Sequence, residues 1–82
     1  MMNLPTINMA KTGQNIMELR TKAGLSVKDL QDVFGFATPQ AIYKWQQGLT
    51  LPSVDNLVAL SAILDTPIDK ILVVEVPVGR AG

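Results

Sequence analysis

In the stretch "TPQAIYKWQQG", residues 38–48, four side chains have the chemistry to read nucleic acid: Gln40, Tyr43, Lys44 and Gln47. Glutamine pairs bidentately with adenine, lysine donates to guanine or to phosphate, and tyrosine meets a thymine methyl or a phosphate oxygen. On a helix turning about 100° per residue, with Gln40 at zero, Lys44 falls at about 40°, Gln47 at about 340° and Tyr43 at about 300°. Ala41, Trp45 and Ile42 fall at about 100°, 140° and 200°, on the opposite stripe. One stripe anchors the helix and the other faces outward. Solvent alone accounts for many polar helix faces, so the neighbouring elements decide what this one means.

Those elements are legible from caps and periodicity. "TGQNIMELRTKAG" predicts a first helix with Thr12 as N-cap, an inner stripe of Ile16, Leu19 and Ala23, and Gly24 as its stop. "LSVKDLQDVFG" predicts a second, with Ser26 as cap, Asp29 three residues on, Val27, Leu30, Val33 and Phe34 inward, and Gly35 at its end. Thr38 as N-cap and Pro39 at the first helical position open the third, which runs to Gly48. Pro52 interrupts the chain; Ser53 starts a fourth helix with Leu57, Leu60, Ile63 and Leu64 inward, ending near Asp65. Thr66 and Pro67, with Asp69 following, start a short fifth that buries Ile68, Ile71 and Leu72. The alternation of Val74, Val76 and Val78 with Glu75 and Pro77 reads as extended chain, at best an edge strand.

Only Gly35, Phe36 and Ala37 join the second and third helices, a helix-turn-helix corner that pushes the third outward. The amino ends of those two helices, at Ser26 and Thr38, offer backbone amides suited to phosphate. Helices this short bury little unless they cross, so the expectation is an all-α bundle.

Composition narrows the function. Eighty-two residues, 48% of them hydrophobic, suit a single core. Histidine and cysteine are both absent, which removes thiolate and imidazole metal sites and the Ser-His and Cys-His routes to catalysis. The carboxylates sit at caps or on solvated faces, so neither an enzyme nor a cofactor is expected. No apolar run approaches a membrane span and the first residues lack a secretion leader, so a cytoplasmic protein is expected. Formal charge is zero, but the cations Lys11, Arg20 and Lys22 lean toward the first third of the chain and the carboxylates toward the end.

The segments "NIMELRTKAGLSVKDL", "PQAIYKWQQG" and "LPSVDNLVALSAILDTPIDKIL", in this order and spacing, resemble the Cro/repressor-type helix-turn-helix domains, the XRE family related to the lambda repressor. The resemblance covers residues 12 to about 72, with 1–11 as an N-terminal tail and 73–82 as an extended or disordered C-terminal one. It implies a five-helix lambda-repressor-like bundle and a transcriptional regulator, often a repressor. Such a protein reads double-stranded operator DNA in the major groove, usually as a homodimer on an inverted repeat.

Carried over by position, the resemblance assigns base reading to Gln40 and Lys44, with Tyr43 beside them. It assigns backbone contact to Thr38 and Pro39 and a role in reaching phosphate to Arg20; Ser26, Lys28 and Gln47 complete the backbone candidates. The family arginine at Arg20 often pairs with an acidic residue, but that position is Gln46, leaving Arg20 for phosphate or for an amide. Val27 stands where a phosphate-touching glutamine is common, and "LTLP" replaces a commonly basic loop. These departures weaken phosphate binding and make dimerisation close to required, with Ile71 through Val78 as the candidate contact. The alternative is a protein-interaction module, antitoxin-like or anti-repressor, on the same fold; neutral charge and the apolar residues Leu49 and Leu51 favour it.

Overall fold

Ser26 and Ser53 each start a helix because a hydroxyl oxygen there accepts an amide that the first helical turn would leave unpaired. In a computed structural model describing residues 4–76, the chain runs β1 (Thr6–Ile7), α1 (Met9–Lys22), α2 (Val27–Phe34), α3 (Gln40–Gln46), α4 (Val54–Leu64), α5 (Ile68–Ile71) and β2 (Val74–Glu75). Five helices and one small ribbon are thus present among the described residues, an all-α bundle as expected. Ser26 Oγ accepts from the Asp29 amide at 3.0 Å, and Ser53 Oγ accepts from the Asn56 amide at 3.2 Å. Asp65, with φ 49°, closes α4 in the left-handed conformation.

Ile16, Leu30, Ile42, Trp45, Leu57, Leu60, Leu64 and Ile71 form the core, drawing at least one residue from every helix. Each fully buried aliphatic side chain contributes about 1.5–3 kcal/mol. Three aromatics fix the corner between α2 and α3. Phe34 and Phe36 stack at 5.0 Å, and both present edges to Trp45, at 5.6 and 5.9 Å.

Several expectations need correction. Helix α1 starts at Met9, not after Thr12, because the Asn8 side chain accepts from the Lys11 amide and caps it three residues earlier. The tail assigned to residues 1–11 therefore includes β1 and the first residues of α1. Thr12 is instead a fully buried polar residue whose Oγ1 accepts from the Val73 amide at 2.9 Å. Ala23 is exposed, because it sits at the C-cap of α1 and no longer on the helix's inner stripe. Val33 is 63% exposed: α2 rests on Leu30, Val27 and Phe34, and its aromatic stack tilts contact away from Val33. Both Thr-Pro pairs are displaced by one position. Pro39 and Pro67, not Thr38 and Thr66, stand at the N-caps of α3 and α5, and neither helix has a side-chain cap.

The ribbon joins segments 67 or more residues apart, beyond what local pattern indicates. Val74 and Glu75 are extended, as expected, but they pair antiparallel with β1, Thr6 opposite Glu75 and Ile7 opposite Val74. Four side-chain and backbone bonds extend this closure along α1. The Asn8 amide donates to Val73 O, the Asn8 side chain donates to Glu75, and Asn15 Nδ2 donates to both Lys70 O and Ile71 O. Pro77 and Val78 lie outside the described residues.

Candidate nucleic-acid interface

Helix α3 is seated by its apolar stripe. Ile42 is completely buried and Trp45 nearly so, and Ala41 is half-buried. The opposite stripe stays open: Gln40, Tyr43, Lys44 and Gln47 are all exposed, Tyr43 by 43%. The structure thus brings the three candidate base readers together on one face.

What holds α3 in place is a close approach to α1. A Cβ built on Gly13 would lie 2.3 Å from Trp45 O and 2.6 Å from Gln46 O, so only glycine lets the two backbones meet. At the other end of the contact Gly48, with φ 74°, has its missing Cβ 2.8 Å from Ala10 Cα. Neither constraint is visible in the sequence as more than a glycine near a helix.

Polar bonds complete the mounting. Arg20 Nε donates to Gln46 Oε1 at 2.9 Å, and Arg20 Nη1 donates to Leu25 O at 2.9 Å. The amide partner that the change from acid to glutamine allowed is the one present and ties α1 to α3, while the bond to Leu25 ties α1 to the loop before α2. Gln31 Nε2 donates at 3.3 Å to both Phe36 O and Ala37 O, bridging the turn. Sequence reasoning gave Gln31 no role, since a polar residue in a helix is uninformative until the carbonyls it faces are known.

The candidate phosphate contacts fare differently. Ser26 does not present a free amide: its N–H donates to Asp29 Oδ2 at 2.8 Å while its Oγ takes the Asp29 amide, a reciprocal capping box. These bonds hold the Asp29 carboxyl below the ordinary aspartate value, the backbone amide of Ser26 being the larger cause and its hydroxyl the second. Lys28 Nζ lies 2.7 Å from Asp32 Oδ1, both side chains well exposed, an ion pair between surface groups worth at most about 0.5 kcal/mol. Lys44 has no ion pair among the described residues. Thr38 Oγ1 accepts from the Gln40 amide only at 3.4 Å, and Pro39 is half-buried beneath the start of α3.

A cleft of about 250 Å³ lies between the carboxyl ends of α1 and α4, lined by Leu19, Lys22, Ala23, Leu64, Asp65 and Thr66. None of the residues assigned to nucleic acid lines it. Among the described residues no cluster of metal-ligating side chains occurs, and no helix is long and apolar enough to cross a membrane.

Two crossed helices joined by a glycine-containing turn, the second with an open polar face, is the arrangement that a family model described as helix-turn-helix matches over residues 16–71. The chain belongs to this helix-turn-helix family.

Among solved structures, this helix-turn-helix chain is similar to the restriction-modification controller protein C.AhdI from Aeromonas hydrophila, at 28% identity and a TM-score of 0.69. The match covers 78% of this chain and 96% of that one. The DNA-binding domain of BldD is similar in fold, at 20% identity and a TM-score of 0.67, with 79% and 93% of the two chains covered. Among curated proteins there is no match.

Proposed function

We propose that this protein, a DNA-binding transcription regulator by its family, reads a specific sequence in the major groove with α3 and does so as a homodimer on an inverted repeat. The observation that carries the reading is the open stripe of Gln40, Tyr43 and Lys44 on a helix clamped from behind by Ile42, Trp45 and the Arg20–Gln46 bond. Rigid mounting is what base reading needs, because a bidentate amide contact fails when the helix shifts by about 1 Å. Gln40 and Lys44 take the base edges, with Tyr43 beside them. Thr38, Pro39 and Gln47 flank them at the backbone, and Lys28 joins them there when phosphate displaces Asp32. Arg20, bonded to Gln46 and Leu25, serves chiefly to position α3. The reading includes a cytoplasmic location and a non-enzymatic role; Asp29 is engaged as a cap and Asp32 in an ion pair, which leaves neither as a free acid/base group.

Selection of binding sites from random duplexes tests this. The wild type should enrich an inverted repeat, and Gln40→Ala and Lys44→Ala should each relax preference at one or two positions, by about 1–3 kcal/mol. Identical enrichment by all three proteins would remove the assignment.

A second reading, a protein-interaction module on this fold, draws on apolar exposure: Leu49 at 64%, Val54 at 75% and Val58 at 56%. Binding to mixed-sequence duplex that is absent at every salt concentration, with a discrete protein partner recovered instead, would favour it.

A further inference from the structure

We infer that the cleft between the carboxyl ends of α1 and α4 binds a small zwitterion, an α-amino acid with an apolar side chain. Its lining is an apolar floor between two opposite charges. Leu64, 7% exposed, and the half-buried Leu19 form the floor, with Ala23 beside them. Lys22 and Asp65, both exposed, stand at the rim. Those charges do not meet: among the described residues neither takes part in an ion pair.

The two ends of the cleft differ in more than side-chain sign. A helix carries partial negative charge at its carboxyl end, which a cation offsets and an anion aggravates. The last turn of α1 holds Arg20 and Lys22, whereas the last turn of α4 holds no basic residue and is capped by Asp65. An aspartate is thus added to an end that is already negative. The backbone is unfavourable at the same residue. After α1, α2 and α3 the left-handed φ falls on Gly24, Gly35 and Gly48; after α4 it falls on Asp65, the one non-glycine residue with positive φ among those described. Aspartate tolerates this conformation better than most residues, but glycine would serve the fold better on both counts. An ammonium group bound here would meet the carboxylate and the negative end of α4 together.

The loop that carries Asp65 is fixed from within. Thr66 Oγ1 donates to Leu64 O at 2.9 Å, and Thr66 O accepts from Ser61 Oγ at 2.7 Å. Recognition of charge is left to Asp65 and Lys22. A bare amine would leave Lys22 unmatched, a simple carboxylate would meet the wrong charge at α4, and a neutral hydrocarbon would match neither. An ammonium and a carboxylate on one carbon, with a short aliphatic side chain, match both charges and the floor.

Size agrees with this choice. A cavity of about 150 Å³ holds a benzene ring, so a cleft of about 250 Å³ takes roughly ten non-hydrogen atoms, as in leucine or methionine. Gln40, Tyr43 and Lys44 do not line the cleft, so a bound amino acid and bound DNA do not compete for the same side chains.

Nuclear magnetic resonance of the isotope-labelled full-length protein tests the inference. L-Leucine should shift the amides of Lys22, Ala23, Asp65 and Thr66 with a Kd of about 1 mM. Isoamylamine and isocaproate, which each keep one of its charges, should bind about tenfold more weakly. Asp65→Asn and Lys22→Gln should each weaken leucine about tenfold, and Asp55→Asn, at the opposite end of α4, should leave it unchanged. Asp65→Gly separates binding from folding: it relieves the backbone, so it should melt no lower than the wild type while losing leucine to the same degree. No shift of these amides with leucine, valine or methionine up to about 50 mM, equal affinity for leucine and isoamylamine, or full affinity in Asp65→Gly overturns the inference. Site selection through Gln40 and Lys44 is measured on other side chains, so base reading and amino-acid binding fail separately.

Discussion

Asp29 carries a pH dependence that can be worked out in sign. Its carboxylate accepts the Ser26 amide and its pKa is depressed in the folded protein. The stabilisation is therefore complete above the ordinary aspartate value of about 3.9 and is lost as pH falls through the lower folded value. Asp29→Asn should melt below the wild type at pH 6, and the gap should close as pH approaches 2, read by thermal unfolding across that range. The Arg20–Gln46 bond behaves oppositely. An acidic partner would titrate, whereas an amide keeps the mounting of α3 indifferent to acid.

At the scale of elements, the contact of α1 with α3 decides whether the polar face is presented at all. Alanine is ordinarily better than glycine inside a helix by about 1 kcal/mol. At Gly13 the sign reverses, since the new methyl would press on two backbone carbonyls that have no rotamer to yield. Gly13→Ala should lower stability by about 1–3 kcal/mol and weaken DNA binding with Gln40 and Lys44 intact; chemical denaturation and a binding titration measure the two effects. The elements themselves were legible where local chemistry sets them. Ser26 and Ser53 announce their helices by spacing alone, and the opposed stripes of α3 follow from its period. What escaped the sequence depends on partners far along the chain. Thr12 has the chemistry of a cap, and only the position of Val73, 61 residues away, makes it a buried acceptor. Val33 fits an apolar stripe that the aromatic trio leaves uncovered. A two-residue strand has no period to detect, so β1 is invisible until β2 lies beside it. The polar stripe of the candidate site was legible in full, but the groups that steady it, Gly13 and Gln31 above all, were not.

At the scale of the whole molecule, neutrality limits affinity. Lys28 is shared with Asp32 and Arg20 is held by Gln46 and Leu25, which leaves Lys11, Lys22, Lys44 and Lys70 as the freer cations among the described residues, Lys70 on the far side of the chain in α5. Each phosphate neutralised adds about 0.9 to the slope of log K against log salt, so the slope should be shallow, about 2–4 per subunit. Fluorescence anisotropy of a labelled operator across salt concentrations gives it directly. Finally, the stitching of α1 to residues 70–75 by Asn8, Thr12 and Asn15 makes the domain a closed hoop. Tension applied between residues 6 and 75 would load that seam first, opening its few rungs in succession before any force reached the seat of Ile42 and Trp45. A tether at either terminus, whether a fused domain or a bead, would thus fray the clasp and spare the jaw.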